Sequence, residues 1–132
     1  MYVKFVSSSQ NLDNDAYPVK TFEEVEEAVG ALDGKENTLV ILGGKRPEPH
    51  MAIGGGADDR YVVYITYDND EFYTLVNSKK PAREVIEINA GDEPADFMIH
   101  QINPREVVLK AVKSFCENGK HDPKLLWEIS GS

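Results

Sequence analysis

Tyr61-Val62-Val63-Tyr64-Ile65-Thr66, a polar Asp68-Asn69-Asp70 and Phe72-Tyr73-Thr74-Leu75-Val76 follow one another in the middle of the chain. Aromatic and β-branched side chains fit a pleated, half-buried surface, so both apolar runs predict strands. Asp and Asn between them favour a tight reversal, because their short side chains hydrogen-bond to nearby backbone. The stretch therefore reads as a β-hairpin and marks the middle of the chain as antiparallel sheet. Upstream, Thr38-Leu39-Val40-Ile41-Leu42 is a short apolar run closed by Gly43-Gly44 and a Pro47/Pro49 loop, and Met51 to Ile53 follows. Downstream, a loop with Lys79, Lys80 and Pro81 leads to a weaker strand at Val85 to Ile88. An acidic loop is expected from Ala90 to Ala95.

Helical spacing appears on either side of this sheet. Thr21-Phe22-Glu23-Glu24 has the spacing of a capping box. Phe22, Val25, Ala28, Val29 and Leu32 then recur at helical intervals, with Glu23, Glu24, Glu26 and Glu27 mainly on the other side and Gly34 as the stop. Near the end, Asn103-Pro104-Arg105-Glu106 offers an N-cap, a proline at the first helical position and a glutamate three residues after the cap. Val108, Ala111, Val112 and Phe115 form the apolar stripe, and Gly119 ends it. Met1 to Val6 predicts a first strand, Ser7 to Pro18 a loop, and Leu125 to Ile129 a last strand. The expected fold is α+β: an antiparallel meander of about five or six strands with two amphipathic helices. A length of 132 residues fits one domain, 1–132.

Hydrophobic residues at 41% are enough for a core, and 28% charged residues are ordinary for a soluble protein. A single cysteine, Cys116, rules out an internal disulfide. Met1 to Ser9 has no long apolar run behind a basic start, so it does not read as a signal peptide. Apolar runs elsewhere fall far short of the roughly 20 residues of a membrane helix. A cytoplasmic protein is expected, with no membrane contact. The net charge of −9 disfavours direct binding of DNA or RNA. It suits a basic protein partner, and it also serves solubility alone.

Side chains that carry chemistry are sparse. His50, His100 and His121 lie far apart, and no second ligand stands at helical or strand spacing from any of them. No His-x-Glu with a following Pro-Cys-x-x-Cys occurs, so the zinc-deaminase signature is absent. Cys116 falls beside the apolar stripe of the last helix and reads as a buried, inert thiol. Ser7-Ser8-Ser9 has no histidine placed locally to activate it. Gly54-Gly55-Gly56 would cradle phosphate if it opened a helix, but it runs into Asp58-Asp59, which repel an anion. A tight turn or bulge at positive φ accounts for it better. Trp127 reads as packing. No catalytic residue, cofactor or metal is expected, and the rival enzymatic reading, a small enzyme acting on a nucleotide or phosphate ester, rests on the Gly54–Gly56 loop alone.

Three stretches carry a likeness to a known family. They are Met51-Ala52-Ile53-Gly54-Gly55-Gly56 running into the Tyr61 strand, the polar hairpin into Thr74-Leu75-Val76, and Asn103-Pro104-Arg105-Glu106. The last continues through Val108, Ala111, Phe115, Gly119 and Pro123 to Leu126-Trp127. In this order they resemble the Imm-one immunity proteins of bacterial polymorphic toxin systems, a family that includes the inhibitor of a double-stranded-DNA cytosine deaminase toxin. The likeness covers roughly the C-terminal two-thirds; Met1 to Gly34 matches only in having a strand and an acidic helix. The Asn77 to Arg83 segment is longer and more basic than the family leads one to expect. The resemblance implies a non-enzymatic inhibitor that binds a cognate toxin domain, a deaminase or a nuclease, and blocks its active site or substrate cleft. A small regulatory domain with another protein ligand is the alternative.

In an up-and-down meander, alternate connections share one end of the sheet. Gly43 to Pro49, Tyr67 to Glu71 and Asn89 to Asp96 are then expected together. That end would gather Glu48, Asp68, Asp70, Glu71, Asp92, Glu93 and Asp96 against only Lys45 and Arg46. At the other end, Asp58, Asp59 and Glu84 are balanced by Arg60, Lys79, Lys80 and Arg83. The expected partner-binding residues are Asp68, Asp70, Glu71, Asp92, Glu93 and Asp96, with Tyr67 and Phe72 as desolvated contact area. They would face the basic cleft that a nucleic-acid-targeting toxin needs for phosphates. When free, the chain would be a monomer or a homodimer, since an exposed edge strand can pair with its twin.

Overall fold

The computed structural model describes residues 1–8, 17–43, 49–91 and 94–131. Among these residues nine strands and two α-helices follow in the order β1 (Phe5–Ser8), β2 (Tyr17–Pro18), α1 (Phe22–Gly30), β3 (Leu39–Gly43), β4 (His50–Gly55), β5 (Tyr61–Thr66), β6 (Glu71–Val76), β7 (Val85–Asn89), β8 (Pro94–Met98), α2 (Arg105–Asn118) and β9 (Leu126–Gly131). Seven strands form one antiparallel sheet in the order β2-β1-β3-β4-β5-β6-β9, and β7 and β8 form a separate two-stranded sheet. The α+β class is as expected, and the strand count is higher than expected. The central hairpin is where the sequence placed it, with Tyr64 opposite Thr74 and Thr66 opposite Phe72.

Alternation along each strand gives the large sheet two faces. Val6, Val40, Leu42, Met51, Ile53, Val63, Ile65 and Leu75 point inward and are buried. Val25 and Val29 of α1, and Val108, Ala111, Val112 and Phe115 of α2, close over them as one core. Each large apolar side chain buried there contributes about 1.5–3 kcal/mol. The outer face carries Leu39, Ile41, Ala52, Val62, Tyr64 and Phe72 by the same alternation, and the β7–β8 hairpin lies over part of it. Ala90 meets Gly54 so closely that a Cβ on the glycine would stand 2.5 Å from the Ala90 Cβ.

Several local expectations are corrected. The first strand runs from Phe5 to Ser8 rather than Met1 to Val6, and Tyr17–Pro18 adds a short strand to what read as a loop. The Thr21 hydroxyl accepts the Glu24 N–H as expected, while the Glu24 carboxylate accepts the Lys20 N–H, one residue before the cap. Helix α1 ends at Gly30, before the expected Gly34 stop; Gly34 serves a later turn at φ 73°. Pro94–Met98 pairs with β7 as a strand, where an acidic loop was expected as far as Ala95. Asn103 is not the cap of α2: it is buried, and its amide donates to the Leu75 carbonyl at 3.0 Å. Pro104 keeps extended backbone, and the Arg105 N–H is capped by the Asp59 carboxylate at 2.8 Å. The last strand pairs with β6, because β7 and β8 leave the sheet and vacate that edge.

Gly54-Gly55-Gly56 is spent on backbone geometry. Gly55 and Gly56 hold φ of 97° and 115°, and a Cβ on Gly56 would stand 2.5 Å from the Leu32 carbonyl group. The glycines therefore lead into a tight turn, Ala57–Asp59, and open no helix of phosphate-binding length.

Candidate partner-binding surface

The turn between β5 and β6 is built by its own side chains. One Asp68 oxygen accepts the Asp70 and Glu71 N–H groups at 2.9 and 3.0 Å. Thr66 accepts the Asn69 N–H at 2.9 Å and donates to the Glu71 carbonyl at 2.8 Å. Asn69 takes the left-handed conformation, φ 65°, that Asn tolerates. The two backbone N–H groups hold the Asp68 carboxyl below its usual range, so it is ionised at neutral pH. Asp68, Asp70 and Glu71 are all exposed.

Tyr67 and Phe72 flank this turn and go to different faces. The Tyr67 hydroxyl accepts the His121 backbone N–H at 2.7 Å, which leaves its own proton for His121 Nδ1, also at 2.7 Å. Burial raises the Tyr67 phenol above its usual range. His121 stacks on Tyr73 at 4.8 Å and meets Trp127 edge-on, while the Trp127 indole N–H donates to the Asp122 carbonyl. The result is an aromatic cluster beside the turn on the helix side. Phe72 lies on the outer face against Tyr64, ring centres 5.3 Å apart, with His50 edge-on to Tyr64.

The expected three-loop end is only partly present. Gly43 pairs with His50, His50 with Thr66 and Thr66 with Phe72, so the end of β3, the start of β4 and the β5–β6 turn share one end of the sheet. Asn89, which ends β7, and Gly91 lie towards the other end. The Thr38 hydroxyl donates to the Gly91 carbonyl at 2.6 Å, and the Asn89 amide donates to the Gly34 carbonyl at 3.2 Å. Asp96 sits within β8 directly opposite Glu87, away from the Asp68 turn. The cause is the hairpin's crossing onto the outer face, which breaks the meander on which that grouping depended. Lys45, Arg46, Glu48, Asp92 and Glu93 lie outside the described residues.

A groove of about 320 Å³ runs between the outer face and the β7–β8 hairpin, lined by Leu39, Ala52, Tyr64, Thr74, Phe97 and Gln101 among others. Sequence reading passed over it. The available signal was the β3 run, apolar at successive positions and so suited to cover on both faces. At the groove's edge, His100 is buried and accepts the Ala82 N–H at Nδ1, which places its proton on Nε2. Nε2 then donates to Glu128 at 2.9 Å, and Gln101 donates to the other Glu128 oxygen at 3.0 Å. The His100 bond, followed by that of Gln101, holds the Glu128 carboxyl below its usual range against its own desolvation. The basic Asn77–Arg83 segment is tied to the same region: the Asn77 amide donates to the Ile99 and Ile102 carbonyls.

Among the described residues no three His, Cys, Asp or Glu side chains gather as a metal site, and no helix is long and apolar enough to cross a membrane. Burial pushes the Cys116 thiol up to about 12, far from the range of a nucleophile. No curated protein matches the chain. A family model does, described as immunity protein Imm1, over residues 13–128. Sheet, helices and this match agree with the likeness carried by the Met51, Asn103 and Leu126-Trp127 stretches: the chain belongs to the Imm1 family of immunity proteins, which implies immunity against a toxin and a cognate toxin as its partner.

Proposed function

We propose that the chain neutralises a nucleic-acid-targeting toxin domain, a deaminase or a nuclease, by lodging the Asp68–Glu71 turn in the toxin's substrate cleft. It acts as an inhibitor by occupancy and catalyses nothing. Such a cleft must be basic to hold phosphates. The observation that carries the reading is the turn itself: Asp68 fixed as an ionised carboxylate by two backbone N–H groups, with Asp70 and Glu71 exposed beside it. The net charge of −9 steers encounter with a basic surface. Tyr67 and Trp127 beside the turn on one side, and Tyr64 and Phe72 on the other, are residue types that anchor protein interfaces. Asp96 on β8, opposite Glu87, adds to the field rather than to this contact.

Asp68 also shapes the turn, so the test leaves it in place. Asp70→Lys with Glu71→Lys is expected to weaken binding to the toxin domain encoded beside this chain by about tenfold or more. Unchanged affinity for this folded variant would remove the turn from the interface.

A further inference from the structure

The two edges of the large sheet are built differently. At one edge stands β2, two residues long and containing Pro18, which has no N–H to offer a neighbour. At the other stands β9, six residues long, with no proline and no lysine. Its only charge, Glu128, is held by His100 and Gln101. Ile129, opposite Tyr73, is 57% exposed. Among the described residues no strand pairs with the outer side of β9. Alternate N–H and C=O groups along Leu126–Gly131 therefore face outward as a template for another strand. Natural sheets blunt such edges with short strands, proline or charge; here β2 is short and ends in proline, whereas β9 is long, without proline, and has Glu128 as its one charge.

We propose that β9 receives an edge strand of the toxin, so that the two proteins share one continuous sheet in the complex. This rests on the toxin-neutralising reading and adds where the toxin's backbone docks. Charge selects the occupant. A second copy would bring −9 against −9, whereas a basic partner is attracted. Glu71 pairs with Gly131, so the acidic turn stands at the end of the same edge. A strand laid along β9 with Lys or Arg at that end meets Asp68, Asp70 and Glu71, while its apolar side chains cover Ile129. Backbone pairing supplies affinity, and the cation at the turn sets which basic strand fits.

The test is hydrogen exchange of the complex with a catalytically inactive form of the toxin domain encoded beside this chain, together with Ile129→Lys. Binding is expected to slow exchange of alternate amides in Leu126–Ser130 by about tenfold or more, and Ile129→Lys to weaken affinity by a similar factor. Ile129 is exposed, so the free variant should keep its denaturation midpoint. A complex that forms with unchanged β9 exchange, and with full affinity for Ile129→Lys, overturns the docking edge and leaves toxin neutralisation standing. Protection of the same amides in the free chain, together with a dimer in sedimentation, overturns it in favour of a second copy. Failure of the unaltered chain to bind overturns both readings.

Discussion

Asp59 caps helix α2 from 46 residues upstream: its Oδ1 accepts the Arg105 backbone N–H at 2.8 Å. Asp59 and its neighbour Asp58 both hold positive φ, 60° and 56°. Such backbone is costly for a non-glycine residue and persists only where its surroundings fix it. Here it turns the carboxylate onto the exposed first turn of α2, where an anion also opposes the helix dipole.

Asp59→Ala removes this cap and is expected to lower stability by about 1–2 kcal/mol in urea denaturation. Asp59→Asn keeps an accepting oxygen and tolerates positive φ, so it should cost a few tenths. Equal effects of the two variants would show that the bond to Arg105 contributes nothing.

Gly54 is where the hairpin presses hardest on the sheet. Gly54→Ala should push Ala90 away and cost about 1–3 kcal/mol. Ala90→Gly in the same chain should recover most of that loss. Full loss in the double variant would place the strain at the hairpin backbone, since the Ala90 Cα stands 3.2 Å from the added carbon.

Stability should fall in acid through Asp68 and Glu128. Both carboxyls stay ionised to lower pH in the folded chain than in the unfolded one. The unfolded state then binds more protons, so this contribution is fully present above the ordinary carboxylate range and is lost as pH falls through the lowered folded values. Glu128→Gln should flatten the stability profile below about pH 5. An unchanged profile would show that the bonds from His100 and Gln101 do not discriminate between the protonation states.

Cys116 should be silent towards a thiol reagent in the native chain and react fully once the chain is unfolded. Burial accounts for both, through access and through a thiol pushed up to about 12. Rapid native reaction would place Cys116 at the surface.

Local signals located most of the fold. The β5–β6 hairpin, the Thr21 cap and the Gly119 stop are written in neighbouring residues, and all three stand where they were expected. Long-range pairings were illegible. Pro94-Ala95-Asp96-Phe97-Met98 lacks strand character and becomes β8 through pairing with β7 and the seating of Phe97 in the groove. Asn103 looked like a cap because Pro104 followed it, yet a buried bond to Leu75 claims its side chain. The acidic turn at Asp68 was legible for the same local reason as the hairpin. The separation of Asp96 from it was not, since it depends on the hairpin crossing the outer face.

The central claim is neutralisation of a basic toxin by an acidic surface. Calorimetric titration of this chain against the toxin domain encoded beside it, at two salt concentrations and alongside rescue of cells expressing that toxin, tests it most directly. The account predicts nanomolar binding that weakens with salt, together with rescue. Absence of binding and of rescue would contradict it.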